Sequence, residues 1–155
     1  SEMCIRDSYY TYVVTGDGEL DEGSNWEGLM TIRHYNLTNC ITIVDRNHCM
    51  IDGNTEDVMK LEPLADKFVA FGFHTIVCEG NNIVSLCKAI DEAHKTKDKP
   101  TVIVADTIKG VGIKLTSGNY KWHYGAIDEE MAKVAAKDLD EYSAERIARC
   151  GKEFE

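Results

Sequence analysis

The sequence predicts an α/β fold, a parallel sheet with helices on both faces. Three observations lead there. Four short runs are rich in β-branched residues, and several lack clean alternation, as in strands covered on both faces. Amphipathic helical patterns lie between these runs. The resulting order, β-α-β-α-β-α-β, requires parallel pairing with right-handed crossovers.

The first strand is Tyr10–Val14, YTYVV. Glu22–Tyr35 follows as a helix, with Trp26, Leu29, Met30 and Ile32 at helical spacing. The second strand is Cys40–Asp45, CITIVD. A short helix, Leu64–Phe71, is started by Pro63, whose fixed φ suits a first turn. The third strand is Phe73–Cys78, FHTIVC. The helix Asn82–Lys95 puts Ile83, Leu86, Cys87 and Ile90 on one face. The fourth strand is Thr101–Asp106, TVIVAD. The last element is an amphipathic helix, Asp128–Arg149, with Met131, Val134, Ala135 and Leu139 as a stripe over the core. Segments 46–56 and 107–127 are the long irregular connections. Both follow the carboxyl end of a strand, where open α/β sheets bind ligands.

With 155 residues, 43% apolar and 28% charged, the chain reads as one globular domain with a core of its own. A net charge of −10 argues against nucleic acid or an anionic membrane as partner. A phosphate compound would then need a cation or backbone dipoles to hold it. No apolar stretch approaches the ~20 residues of a membrane span. Among six cysteines there is no C-x-x-C. Cys40, Cys78 and Cys87 lie in apolar periodic segments and read as reduced core thiols of a cytoplasmic protein. The first eight residues, SEMCIRDS, match neither the rest of the chain nor a signal peptide. They resemble a translated sequencing adapter, so residues 1–8 are expected to be a non-native scar and residues 9–155 the domain.

The stretch TGDGELDEGSNWEG, residues 15–28, carries the chemistry. It is not an EF-hand loop. Counted from Asp17, the sixth position is Glu22 and the twelfth Gly28, so the required glycine and bidentate glutamate are both missing. It also lacks the third glycine of a dinucleotide fingerprint and the lysine of a Walker loop. Gly16 and Gly18 allow a sharp turn and close approach to a ligand. The helix that follows aims its amide end at the same place, which favours an anion. Asp17 would repel that anion by about 1 kcal/mol in water and about 4 at a protein-like dielectric, for charges ~4 Å apart. A divalent cation between the two reverses the sign, and hard oxygen ligands suit Mg²⁺ or Ca²⁺. Asn47 stands 30 residues after Asp17, one β-α-β unit later, and offers a second oxygen at the same sheet edge.

G-D-G followed 30 residues on by Asn resembles the signature of a thiamine-diphosphate site. The blocks GDGELDEGSNWEG, NLTNCITIVDRNHCMIDG, EPLADKFVAFGF, KPTVIVADTIKGVG and KWHYGA resemble the transketolase family. The similarity is closest to the amino-terminal subunit of split, two-gene prokaryotic transketolases, and it runs from Tyr10 to about Asp140. The resemblance implies the thiamine-diphosphate-binding fold, here truncated at its amino terminus. It implies that Asp17 and Asn47 hold a divalent metal through their side chains and Cys49 through its backbone carbonyl. Gly18 and Asn47 would meet the diphosphate, and Ile51 the cofactor rings. His123 would reach the diphosphate and substrate, and Glu22 would act near the contact between two cofactor sites. On their own, Glu22 also reads as a first-turn acid favoured by the helix dipole, and His123 as a packed loop histidine.

The implied activity is transfer of a two-carbon ketol unit from a ketose phosphate to an aldose phosphate, as in the pentose phosphate pathway. The pyrimidine-binding domain would come from a separate carboxyl-terminal subunit, in a dimer of heterodimers. The chain alone is expected to be an inactive fragment. Another thiamine-diphosphate enzyme, such as a deoxyxylulose-phosphate synthase or a 2-oxoacid dehydrogenase component, is the alternative, as is an inactive metal- and phosphate-binding fragment. Three departures from the family pattern stand out, one of them Tyr124 between His123 and Gly125. Cys49 replaces an apolar side chain, and Glu79-Gly80-Asn81-Asn82 replaces a common D-G-H-D turn.

Overall fold

The structure, a computed structural model, describes residues 9–153. The expected scar, residues 1–8, lies outside the described residues. Four strands form one parallel sheet: β1 (Thr11–Gly16), β2 (Cys40–Arg46), β3 (His74–Glu79) and β4 (Thr101–Asp106), in the order β1-β2-β4-β3. The helices are α1 (Gly23–His34), α2 (Thr55–Val58), α3 (Leu64–Ala70), α4 (Ile83–Lys95) and α5 (Glu129–Glu153). Two 3₁₀ turns, Gly18–Asp21 and Tyr120–His123, are the other helical elements among the described residues.

Alternating strand residues feed two cores, as a period of two dictates. Val44, Val102 and Val104 face Leu29 of α1 and Leu64 and Phe68 of α3. Ile41 and Ile103 face Ala89 and Ala93 of α4 on the opposite side. Topology explains the split. The chain moves across the sheet from β1 through β2 to β3, then turns back to β4. Right-handed crossovers that run in opposite directions put their helices on opposite faces. Asp45 pairs with Gly16 and Ala105, and Asp106 with Arg46 and Glu79. The strands therefore end level, and the loops after β1, β2 and β4 emerge side by side.

Four expectations need correction. Among the described residues, only β2 and β4 are covered by a strand on each side and buried on both faces. β1 and β3 are edges, and Val14 is 68% exposed. β-branched composition is common to edge and central strands, so it did not separate them. α4 packs through Ala89 and Ala93, while Ile83 and Cys87 are exposed. Small residues let the helix axis come close to the sheet. Among the supposed core thiols, only Cys40 is buried and Cys78 is half-buried. All four described cysteines, Cys49 included, are free. The apolar stripe of α5 does not enter the core, since Met131, Val134 and Leu139 stay exposed. That helix instead grips the loop after β4. The buried Asp138 carboxylate accepts the Lys114 N–H at 2.9 Å. No helix among the described residues is long and apolar enough to cross a membrane.

Candidate functional site

The site begins where β1 ends. The Asp17 N–H donates to the Asp45 carbonyl at 3.0 Å, which carries the ladder one step past the strand. The Asp17 side chain is fully buried. Its Oδ1 accepts the Gly18 N–H at 2.8 Å. Its Oδ2 accepts the His48 N–H at 2.7 Å and Arg46 Nη1 at 2.8 Å. The loop after β2 is thus tied to the turn after β1.

Asn47 is held by its neighbours. Its amide nitrogen donates to Asp45 Oδ2 at 3.1 Å, and its oxygen accepts the Cys49 N–H at 3.0 Å. Asp45 is itself oriented by the Thr107 hydroxyl, which donates to Oδ1. His48 adopts φ +62°, a left-handed turn uncommon for a side chain of this size. That turn sends its N–H to Asp17 while its ring meets Asp106 at 2.8 Å. Cys49 is buried. Burial pushes its thiol above the ordinary range, nearby Asp17 adds to this, and Lys109 opposes it. The thiol stays protonated and is a poor ligand. Among the described residues, the Cys49 carbonyl accepts no hydrogen bond.

All seven residues singled out in the sequence line one cleft of about 600 Å³ at the carboxyl edge of the sheet: Asp17, Gly18, Glu22, Asn47, Cys49, Ile51 and His123. Ile51 and Glu22 are exposed, and so is His123 on its 3₁₀ turn. Glu22 is the N-cap of α1 but makes no side-chain cap bond, so it is not a first-turn acid. Gly16, Glu19, Met50, Asp52 and Lys109 complete the lining.

Three local expectations change. A 3₁₀ turn separates Gly18 from α1, so the amide end of that helix is set back from the turn. The Gly18 N–H is already used by Asp17, and a Cβ at Gly18 would stand 3.1 Å from Met50 Cβ. A side chain at position 18 would therefore crowd Met50. Asp17 is also not a bare charge, because Arg46 already offsets it. The repulsion argument for a bridging cation therefore loses its force, and the donor set must carry that conclusion.

The donor set fits a hard cation. It consists of one carboxylate, one amide oxygen and one peptide carbonyl without a hydrogen bond, all oxygens of the kind Mg²⁺ or Ca²⁺ take. No cluster of three or more His, Cys, Asp or Glu that could hold a metal occurs among the described residues, so softer sites have no candidate there.

Two residues escaped sequence reasoning. Lys109, from the loop after β4, puts an ammonium group in an otherwise acidic cleft. Its signal was the only cation in the block TIKGVG. Arg46 is 2% exposed and contacts Asp17, Glu56 and Glu62. Burial works against its charge, but the hydrogen bonds and charges of Asp17 and Glu62 outweigh that and hold it protonated. Its signal was parity, since Arg46 lies two residues after the core residue Val44 and shares its face of the strand.

Fold and cleft together define a doubly wound α/β domain with an oxygen-lined site at the carboxyl edge of its sheet. A family model described as "Transketolase, thiamine diphosphate binding domain" matches residues 2–144, and the chain belongs to the transketolase family. One relative, from Actinobacillus succinogenes, is named as one subunit of an apulose-4-phosphate transketolase. It is 40% identical over 128 residues, 83% of this chain and 46% of that protein. The 6-deoxy-6-sulfo-D-fructose transketolase subunit SqwG of Clostridium sp. is 38% identical over 133 residues, 86% of this chain and 48% of that protein. The crystal structure of Campylobacter jejuni transketolase superposes with a TM-score of 0.78 at 29% identity, covering 86% of this chain and 21% of that one. The chain thus spans about half the length of these two curated relatives.

Proposed function

We propose that this chain is the diphosphate-binding part of the amino-terminal subunit of a split transketolase. It would work with thiamine diphosphate, a divalent cation and a separate pyrimidine-binding subunit, in a dimer of heterodimers. The activity would be transfer of a two-carbon ketol unit between sugar phosphates. The observation that carries this reading is the meeting of all seven sequence-derived residues in one cleft. Relatives that are each named as one subunit of a transketolase support the need for a second polypeptide.

In this reading, Asp17, Asn47 and the Cys49 carbonyl hold the cation, and Lys109 adds positive charge toward the diphosphate. Ile51 and Met50 form an apolar wall for the cofactor rings. When bound, thiamine diphosphate would supply carbanion chemistry at its thiazolium ring, and the protein would supply orientation and electrostatics. His123, exposed at the cleft, donates a hydrogen bond to a phosphate or substrate oxygen. Glu22 lies at the cleft rim, where the second cofactor site would approach. Apulose-4-phosphate and 6-deoxy-6-sulfo-D-fructose, in the relatives' names, support a phosphorylated or sulfonated ketose as the substrate class in this reading.

Calorimetry tests the cofactor site. Binding of thiamine diphosphate should require Mg²⁺ and should be lost in Asp17→Asn, which keeps the shape and removes the charge. Binding to neither chain would leave an inactive fragment. Binding that ignores Mg²⁺ would overturn the metal assignment. Supplying a ketose phosphate donor and an aldose phosphate acceptor together with the pyrimidine-binding subunit should then restore turnover.

A further inference from the structure

Arg46 is a buried cation whose every donor is used. Nε donates to Glu62 at 3.2 Å. Nη1 donates to Asp17 at 2.8 Å and to the Thr55 hydroxyl at 2.6 Å. Nη2 donates to Glu56 at 2.8 Å and to Glu62 at 3.0 Å. A guanidinium has five N–H groups, and all five are satisfied. This fork joins the turn after β1, the start of α2 and the entry to α3. A lysine could not copy it, because its three donors radiate from one point.

The consequence falls on Asp17. A carboxylate oxygen has about two acceptor sites. Oδ2 fills both with Arg46 Nη1 and the His48 N–H. Oδ1 fills one with the Gly18 N–H. One acceptor site remains, on one oxygen.

We propose that Arg46 is a positioning residue for cation binding: it pins Asp17 so that the carboxylate offers a cation a single oxygen, Oδ1. This rests on the cleft being the cation and diphosphate site proposed above. Restricting Asp17 to one oxygen suits the strict octahedral demand of Mg²⁺ or Mn²⁺. It handicaps Ca²⁺, which takes bidentate carboxylates and more ligands. Arg46 thereby tunes cation choice without touching the cation.

The test uses the full chain with Mn²⁺ and inorganic pyrophosphate, followed by electron paramagnetic resonance. Competition by Mg²⁺ and Ca²⁺ gives their relative affinities. Arg46→Lys should weaken Mn²⁺ by about 10- to 100-fold, the usual effect of losing a group that orients a metal ligand. It should also shift the balance from Mg²⁺ toward Ca²⁺, because the freed carboxylate can turn both oxygens to the ion. Glu62→Gln removes the charge of another partner of Arg46 and leaves the Asp17 pair, so it should lower stability while leaving Mn²⁺ affinity unchanged. A purely structural Arg46 would move stability in both variants and the cation balance in neither, which overturns the proposal.

Side-chain ¹⁵N NMR of the unmutated chain gives a second readout, independent of whether Arg46→Lys folds. The Arg46 Nη1 signals should persist when Mg²⁺ and pyrophosphate bind. Their collapse on loading would mean that Asp17 leaves Arg46 for the ion, and the proposal fails. If the unmutated chain binds no Mn²⁺ with pyrophosphate, the cofactor reading falls and takes this inference with it.

Discussion

The Asp17 carboxylate accepts the backbone N–H of His48 at 2.7 Å. This one bond joins the two halves of the motif, because His48 directly follows Asn47 in a left-handed turn. Two loops 30 residues apart in sequence become one wall of a cleft. The loops meet because β1 and β2 are parallel neighbours in register, so consecutive strands end at the same level.

The Asp17–Arg46 pair should matter for stability as well as for binding. Both side chains are almost fully buried. Breaking such a pair leaves an uncompensated charge and costs about 3–5 kcal/mol. Glu56 and Glu62 remain on the guanidinium, so Asp17→Ala should lie at the lower end, about 3 kcal/mol. Urea unfolding measures it, and a loss within noise would mean the pair is not formed.

Lys109 should hold the diphosphate. It is the one lysine among the residues lining the cleft, and its charge faces a ligand that acidic neighbours repel. A hydrogen bond to a charged group contributes about 1.5–3 kcal/mol. Lys109→Gln should therefore weaken pyrophosphate binding in the presence of Mg²⁺ by about tenfold or more. Equal affinities in a calorimetric titration would remove Lys109 from the site.

The loop carrying Lys109 is closed on itself and clamped by α5. The Gly118 N–H donates to the Lys109 carbonyl at 2.8 Å, and Asp138 accepts the Lys114 N–H. Gly112, at φ +96°, would bring a Cβ within 3.1 Å of Leu139 and Tyr142. Asp138→Ala strips Lys114 of its acceptor at a cost of about 1–2 kcal/mol, so amide exchange at Lys114 should speed up about 5- to 30-fold. Exchange in β2 and β4 should hardly change. Uniform acceleration would instead mean that α5 supports the whole domain.

Acid should loosen the Arg46 junction. The Leu64 N–H, and after it Arg46, hold the Glu62 carboxyl below its ordinary pKa of 4.5, while burial opposes them. A carboxyl with a lowered folded-state pKa stabilises the fold above its unfolded value. That contribution fades as pH falls through the folded value. Glu62 is half-exposed, so solvent screening limits the effect to less than about 1 kcal/mol. Stability measured from pH 5.5 downward should fall less steeply in Glu62→Gln. Parallel curves would exclude Glu62 as a contributor.

Much of the fold could be read from the sequence because its signals are local. Each strand run lies within two residues of its observed bounds, and Asn82, which ends the turn before α4, caps that helix through Val84 and Ser85. Asp17 and Asn47 were readable for a related reason, since chemistry at a sheet edge leaves its residues at loop positions with fixed spacing, whereas Glu22, Cys49, Ile51 and His123 were legible only through the resemblance to the transketolase family. Edges, helix faces and the course of α5 were not readable. Val14 in an edge strand and Val44 in a central one are the same residue type, and only their neighbours differ.

By itself, the sequence determined the order of elements, the end of the sheet where the cleft lies, and seven of the residues that line it. The elements, the turn at Gly16 and Gly18 and the pairing of Asp17 with Asn47 follow from periodicity, turn chemistry and spacing over short stretches, while Glu22, Cys49, Ile51 and His123 are implied by the resemblance to the transketolase family. Tertiary structure alone decided that Arg46 neutralises Asp17, that Lys109 enters the cleft and that α5 clamps a loop. Ion pairing and burial depend on which distant segments become neighbours, and that is settled only when the sheet assembles.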